Sequence, residues 1–188
     1  MKKSRYKTRE HKKYVSVMLW FVLGNVASGK STLCKKLASE FGYKHLALGD
    51  LLRKEENPII QVCMRDGKLI PSNITVAVLK RALEEEKDTC KVILVDGFPR
   101  NIKNIREYNI SGIEPDGVLY LECEENVCLG RLLLRKRFDD TEKCIHERFL
   151  SFKRDTLPVI EYYKEKNILY KVDNCIKALE WIKLSMIG

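Results

Sequence analysis

A short run, FVLGNVASGKST (Phe21–Thr32), carries residue types that handle phosphate. Gly24 and Gly29 stand in the spacing G-x-x-x-x-G and are followed by Lys30, Ser31 and Thr32. In the loop Gly24-Asn25-Val26-Ala27-Ser28-Gly29, successive backbone N–H groups can curl around a phosphate. A helix starting at Lys30 adds the partial positive charge of its N-terminus. The glycines permit close approach and unusual φ values. The Lys30 ammonium can reach β- and γ-phosphates, and the Ser31 or Thr32 hydroxyl can face Mg²⁺. The alternative is a glycine turn with an exposed lysine. In the context strand–loop–helix the reading is a nucleoside triphosphate site. It specifies the donor and leaves the reaction open, since NTPases, GTPases and small-molecule kinases share it.

The acceptor side rests on a second cluster, VDGFPRN (Val95–Asn101), which ends a buried apolar run. Such strand ends line the ligand crevice of parallel sheets. Asp96 sits where a Mg²⁺-water ligand is needed, and Gly97 and Pro99 shape a turn. Arg100 aims its fork into the crevice, suited to an anionic acceptor. LALGDLLRKE (Leu46–Glu55) is another strand-to-helix junction, with Arg53 on the helix. A third group, RLLLRKRFDD and then HERF, supplies Arg131, Arg135, Arg137 and Arg148 around Asp139 and Asp140. Any one of these arginines alone reads as a solvated surface charge. Together, behind a phosphate loop, they make sense where two polyphosphates meet. Phosphoryl transfer needs positioning and charge neutralisation more than covalent chemistry.

Positioning these groups takes an alternating chain. Val17–Leu23 is an apolar strand. Ser31–Phe41 has helical spacing, with Leu33, Leu37 and Phe41 on one face. His45–Leu48 is a short strand, and Gly49–Glu56 and Ile59–Arg65 are short helices parted at Asn57-Pro58. A helix begins at Pro71 with Ser72 as its cap. Lys91–Asp96 and Asp116–Cys123 are buried strands, and Glu124–Lys136 is a helix. Thr141–Lys166 is one long helical stretch in which Pro158 predicts a kink or break. Ile168–Asp173 and Ile176–Met186 are the last strand and helix. Such alternation predicts an α/β fold, a parallel sheet covered by helices.

The totals fit this. A chain of 188 residues with 45% hydrophobic residues can bury a real core. No apolar run is long enough to span a bilayer, so no membrane partner is expected. VSVMLWFVLG follows a basic segment, yet it runs straight into the glycine motif with no cleavage pattern, which argues against a signal peptide. The net charge of +9 is uneven: residues 1–14 hold seven Lys or Arg against Glu10. That tail reads as a solvated terminus, with a nucleic-acid contact or nuclear import as the functional alternatives. Seven cysteines with no C-x-x-C read as reduced thiols, and hence a cytoplasmic setting, with the nucleus also allowed.

These motifs resemble those of the nucleoside monophosphate kinases, the adenylate kinase family. They are GxxxxGK, GDLLR, DGFPRN and R-x5-R-x-DD-x7-R (Arg131, Arg137, Asp139, Asp140, Arg148), within roughly Leu19 to Asp173. GKLIPSNITVAVLKRAL and TLPVIEYY look most like the UMP-CMP branch. The resemblance implies a P-loop kinase domain over residues 15–188 after a tail at 1–14, with an acceptor-binding lobe at 49–81 and a short lid at 131–140. It implies that Gly24, Ala27, Ser28, Gly29, Lys30, Ser31, Thr32 and Arg131 serve ATP. Gly49, Arg53, Ile70, Gly97, Arg100 and Asn104 would serve the acceptor, and Arg137 and Arg148 would bridge the transferring phosphoryl group. Ser31 and Asp96 would hold Mg²⁺. Lys30, Arg100, Arg137 and Arg148 would be catalytic. Asp139 and Asp140 would orient the lid arginines, and they also read as an N-cap for the following helix. The chain departs from the usual pattern where Asn25, Ala27 and Ser31 replace glycines and where RLLLRKR lacks the two lid glycines. The acceptor lobe also looks shortened between Arg53 and Gly67.

The expectation is therefore a monomeric enzyme that phosphorylates UMP or CMP from ATP with Mg²⁺. Asn104 and Leu48 stand where AMP kinases usually have Gln and Thr. An adenylate kinase acting on AMP is the alternative among enzymes. An ATP-gated nucleic-acid-binding protein is the alternative outside them, and Arg53, Arg100 and Asn104 argue against it.

Overall fold

The computed structural model describes residues 17–86, 90–110, 114–135, 137 and 139–172. Strand β1 (Met18–Leu23) is apolar throughout and lies at the centre of a five-stranded sheet. The other strands are β2 (Lys44–Ala47), β3 (Val92–Asp96), β4 (Gly117–Leu121) and β5 (Leu169–Val172). Their order is β2-β3-β1-β4-β5 and every pairing is parallel. Alternation along β1 serves two cores. Leu19, Phe21 and Leu23 enter one, and Trp20 and Val22 enter the other with Leu33, Cys34 and Leu37. Burial on both faces is why this strand reads as a continuous apolar run.

The helices start and stop where the local chemistry directs. Helix α1 (Lys30–Phe41) begins after Gly29 and ends at Gly42, both in left-handed conformations. Short α2 (Leu48–Arg53) precedes α3 (Pro58–Arg65), which starts on an Asn57 cap and Pro58. Helix α4 (Ser72–Glu86) follows. Next come α5 (Ile102–Asn109), capped by the Asn101 side chain, and α6 (Glu125–Leu134). Helix α7 (Glu142–Ser151) runs into a π-helical turn over Phe152–Thr156 and then α8 (Leu157–Glu165).

Several expectations change. Leu48 opens a helix and does not end a strand, and that helix stops at Arg53, short of Glu56. Helix α5 was not anticipated. Its eight residues are too few for a strong periodic signal, although the Asn101 cap was there to read. The break before Pro158 takes the form of a π turn, because proline offers no N–H and its ring crowds the preceding turn. Helix α7 is capped by Thr141, whose hydroxyl accepts the Cys144 N–H at 3.3 Å, and not by Asp139 or Asp140. The expected basic tail at 1–14 and helix Ile176–Met186 lie outside the described residues. Among the described residues, no helix is long and apolar enough to cross a membrane.

Topology places the motifs side by side. Val22 and Ala47 each pair with Asp96, so the ends of β1, β2 and β3 open onto the same edge. Phe98 is fully buried and packs edge-on to Phe21 at 5.2 Å and to Tyr108 at 5.4 Å. This aromatic cluster anchors the turn that carries Arg100.

Candidate active site

A cleft of about 700 Å³ opens at these strand ends. The residues expected to serve ATP, the acceptor and Mg²⁺ all line it, from Gly24 on the loop to Arg148 on α7, whereas Asp139 and Asp140 lie behind the lining.

The loop's conformation explains its glycines. Gly24 has φ 151°, and a Cβ there would lie 2.5 Å from the Leu121 carbonyl oxygen. Gly29 has φ 107°. Ala27 takes φ 57° without being glycine, which costs roughly 1–2 kcal/mol. Lys30 Nζ folds over the loop and donates to the Gly24 carbonyl at 3.0 Å and the Asn25 carbonyl at 2.6 Å. Burial lowers the Lys30 pKa, Asp96 opposes this, and Arg100 adds to it. Arg131, on α6, closes the loop from above through the Ser28 carbonyl at 2.9 Å and the Ala27 carbonyl at 3.3 Å. One wall of the cleft is thus a basic cradle of backbone and ammonium groups.

Asp96 joins this wall to the next. Its Oδ2 accepts from the Ser31 hydroxyl and lies 3.3 Å from His45 Nε2. Burial opposes its charge, but hydrogen bonding to His45 and the Lys30 ammonium outweigh that, and its pKa falls below the ordinary carboxylate value. A hydroxyl and an ionised carboxylate in contact at the cleft offer hard oxygen donors, which fit a small divalent cation.

The rest of the basic lining is a set of arginines, of which Arg53, Arg135 and Arg148 are held by aspartates. Arg100 Nε donates to the Gly97 carbonyl at 2.9 Å, and the Thr156 hydroxyl donates to the Arg100 carbonyl at 2.9 Å. Gly97 leaves room for it: a Cβ there would lie 3.2 Å from the guanidinium. Arg100 is exposed to the open cleft, and desolvation by the atoms crowded around it and then the nearby Arg148 lower its pKa. Asp139, with no exposed side-chain surface, accepts from Arg53 at 3.1 Å and from Arg148. Asp140 accepts from Arg148 at 2.9 Å and from Arg135 Nε and Nη2, each at 2.6 Å. Arg137 stands at the rim, 3.9 Å from Asp50.

Asn104 is buried against this wall. Its Oδ1 accepts the Arg100 N–H at 3.0 Å, and its Nδ2 donates to the Ser72 hydroxyl at 2.9 Å. Ile70 lies alongside in the cleft lining. Sequence reasoning missed the roles of His45, Asp50, Ser72 and Thr156. The i, i+3 spacing of Asp50 and Arg53 was a readable signal. The other three act across long sequence separations and left none.

The adenylate kinase family model matches residues 22–168. UMP-CMP kinase 1 of Oryza sativa subsp. japonica is 40% identical over 166 residues, 84% of this chain and 68% of its own length. Uridylate kinase of Saccharomyces cerevisiae is 35% identical over 176 residues, 87% of this chain and 86% of its own length. Adenylate kinase isoenzyme 5 of Homo sapiens is 35% identical over 163 residues, 81% of this chain and 29% of its own length. Enzymes of this family use ATP with a divalent metal and a nucleoside monophosphate. A glycine loop before a helix, arginines sharing its cleft and a match across most of the chain agree: the chain belongs to the adenylate kinase family of nucleoside monophosphate kinases.

Proposed function

We propose that the chain transfers the γ-phosphoryl group of ATP to UMP or CMP, giving ADP and a nucleoside diphosphate, with Mg²⁺. The observation that carries this is one cleft whose lining brings together the glycine loop, Lys30 and five arginines expected to bind anions, Arg53, Arg100, Arg131, Arg137 and Arg148. The loop amides, Lys30 and Arg131 hold ATP, and Arg53 and Arg100 hold the acceptor phosphate. Arg137 and Arg148 neutralise the phosphoryl group in transit. An acceptor phosphate oxygen forms the new bond to phosphorus while the bond to the ADP oxygen breaks. The acceptor is already an anion, so no general base is needed. Ser31 and Asp96 would hold Mg²⁺, which would neutralise charge on the ATP phosphates.

The pyrimidine assignment rests on Asn104. An amide has two donor hydrogens and two acceptor lone pairs. Arg100 and Ser72 take one of each, leaving one N–H and one lone pair to read a pyrimidine ring nitrogen and carbonyl. Leu48, apolar and buried in the lining, gives an adenine no hydroxyl. Two of the relatives are named for UMP-CMP or uridylate kinase activity, in line with this. Residues 49–81 form the acceptor lobe and 131–140 the lid in this reading, with 1–14 dispensable to chemistry. A phosphotransferase assay across AMP, CMP, UMP, dCMP and GMP tests it. CMP or UMP should lead AMP clearly in kcat/KM.

A further inference from the structure

Cys34, His45 and Asp96 converge beneath the phosphate loop, and the function proposed above uses only the last. Two periodicities bring them together. Cys34 follows Lys30 by four residues, so it lies one turn deeper on the same face of α1. Asp96 ends β3, next to β2, which carries His45. The thiol sulphur, an imidazole nitrogen and a carboxylate oxygen all lie within 4.8 Å of one another. His45 Nε2 and Asp96 Oδ2 are 3.3 Å apart. Cys34 is fully buried, and Asp96 reaches the cleft, which gives a cation its way in.

Ligand atoms at about 2.0–2.3 Å from a tetrahedral Zn²⁺ stand about 3.3–3.8 Å apart. The His45–Asp96 pair already has this spacing. The sulphur closes the remainder, roughly an ångström, by a small side-chain rotation. A set of thiolate, imidazole and carboxylate favours Zn²⁺ over Mg²⁺, which takes oxygen ligands. We propose that Cys34, His45 and Asp96 form a Zn²⁺ site under the phosphate loop, and that filling it blocks phosphoryl transfer. Binding breaks the Cys34 S–H bond: the proton passes to solvent and the sulphur electron pair to the metal, with no redox change. The two negative ligands balance the dication. The block rests on the function proposed above. Asp96 Oδ2 is also the partner of the Ser31 hydroxyl, so Zn²⁺ on that oxygen neutralises the carboxylate and repels a second dication at Ser31.

The test uses the full chain with Co²⁺ in place of Zn²⁺, read by absorption. The wild type should develop a thiolate-to-cobalt charge-transfer band in the near ultraviolet that Zn²⁺ abolishes and C34A lacks. With Mg²⁺ in large excess, Zn²⁺ should inhibit phosphotransfer reversibly, with activity restored by a chelator. C34A should keep its zinc-free activity and need about tenfold or more Zn²⁺ for half-inhibition. H45Q should shift zinc sensitivity in the same direction, which guards against C34A being a folding defect. A cobalt band of full strength in both variants, or equal zinc sensitivity in all three proteins, overturns the proposal. If the kinase reading itself fails, no nucleotide is phosphorylated, while the cobalt band and its loss in C34A still decide the metal site.

Discussion

Asn104 donates its side-chain amide to the Ser72 hydroxyl at 2.9 Å, joining α5 to the first turn of α4. The contact fixes which way the amide points before any base arrives. A preorganised group discriminates better than one that must be ordered on binding.

Ser72→Ala should therefore loosen base choice without touching phosphate. Loss of one neutral hydrogen bond is worth about 1 kcal/mol, so the CMP-to-AMP ratio of kcat/KM should fall roughly fivefold. Asn104→Ala should erode it further. The measurement is kcat/KM for both nucleotides in each variant. Wild-type enzyme that uses AMP as well as CMP would sink the pyrimidine assignment and leave the kinase assignment standing.

Lys30→Met keeps length and removes the charge that the Gly24 and Asn25 carbonyls hold over the loop. Electrostatic stabilisation of this kind is typically worth about 3–4 kcal/mol, or roughly 10²–10³ in rate. Steady-state turnover checks it, with urea unfolding as the control for a folding defect. Near-normal turnover means Lys30 does not serve the phosphates.

Arg148→Ala and Arg137→Ala should lower kcat more than they raise either KM, because both act on charge that develops in transit. The two should differ in stability. Arg148 is held by Asp139 and Asp140, whereas among the described residues Arg137 has only the 3.9 Å approach to Asp50. Thermal denaturation should show a loss for Arg148→Ala and little change for Arg137→Ala. A rise in KM alone would reassign them as binding residues.

Asp139 links stability to pH. Burial opposes its charge, but Arg148 and then Arg53 outweigh burial and hold its pKa below the ordinary 3.8. The stability it contributes is therefore present above about pH 3.8 and is lost as pH falls through the lower folded-state value. Asp139→Asn removes the charge from a fully buried site between two arginines, at about 2–3 kcal/mol near neutrality. Urea midpoints should show a wide gap between wild type and variant at pH 7 that narrows below pH 4. A gap that does not depend on pH would mean the carboxylate's charge contributes nothing.

Much of this architecture was legible locally. The phosphate loop needs its glycines, lysine and hydroxyls within nine consecutive residues, so the motif and its strand–loop–helix setting appear together. Strand β1 and helix α1 announce themselves by continuous apolarity and by the Leu33–Leu37–Phe41 spacing. Even the break before Pro158 follows from one residue's missing N–H. Short elements carry less signal, and for that reason α5 was not anticipated and the end of α2 was set too late.

By itself the sequence determined the loop, the alternation of strands and helices, and the family, because each depends on hydrogen bonding and periodicity over a few residues. Only the tertiary structure decided that β3 lies between β1 and β2, that Asp139 pairs with Arg53 across 86 positions, and that Cys34, His45 and Asp96 meet beneath the loop. Those contacts depend on which faces the two cores bury. A side chain's partners across a cleft are settled by packing far along the chain, and no local pattern encodes them.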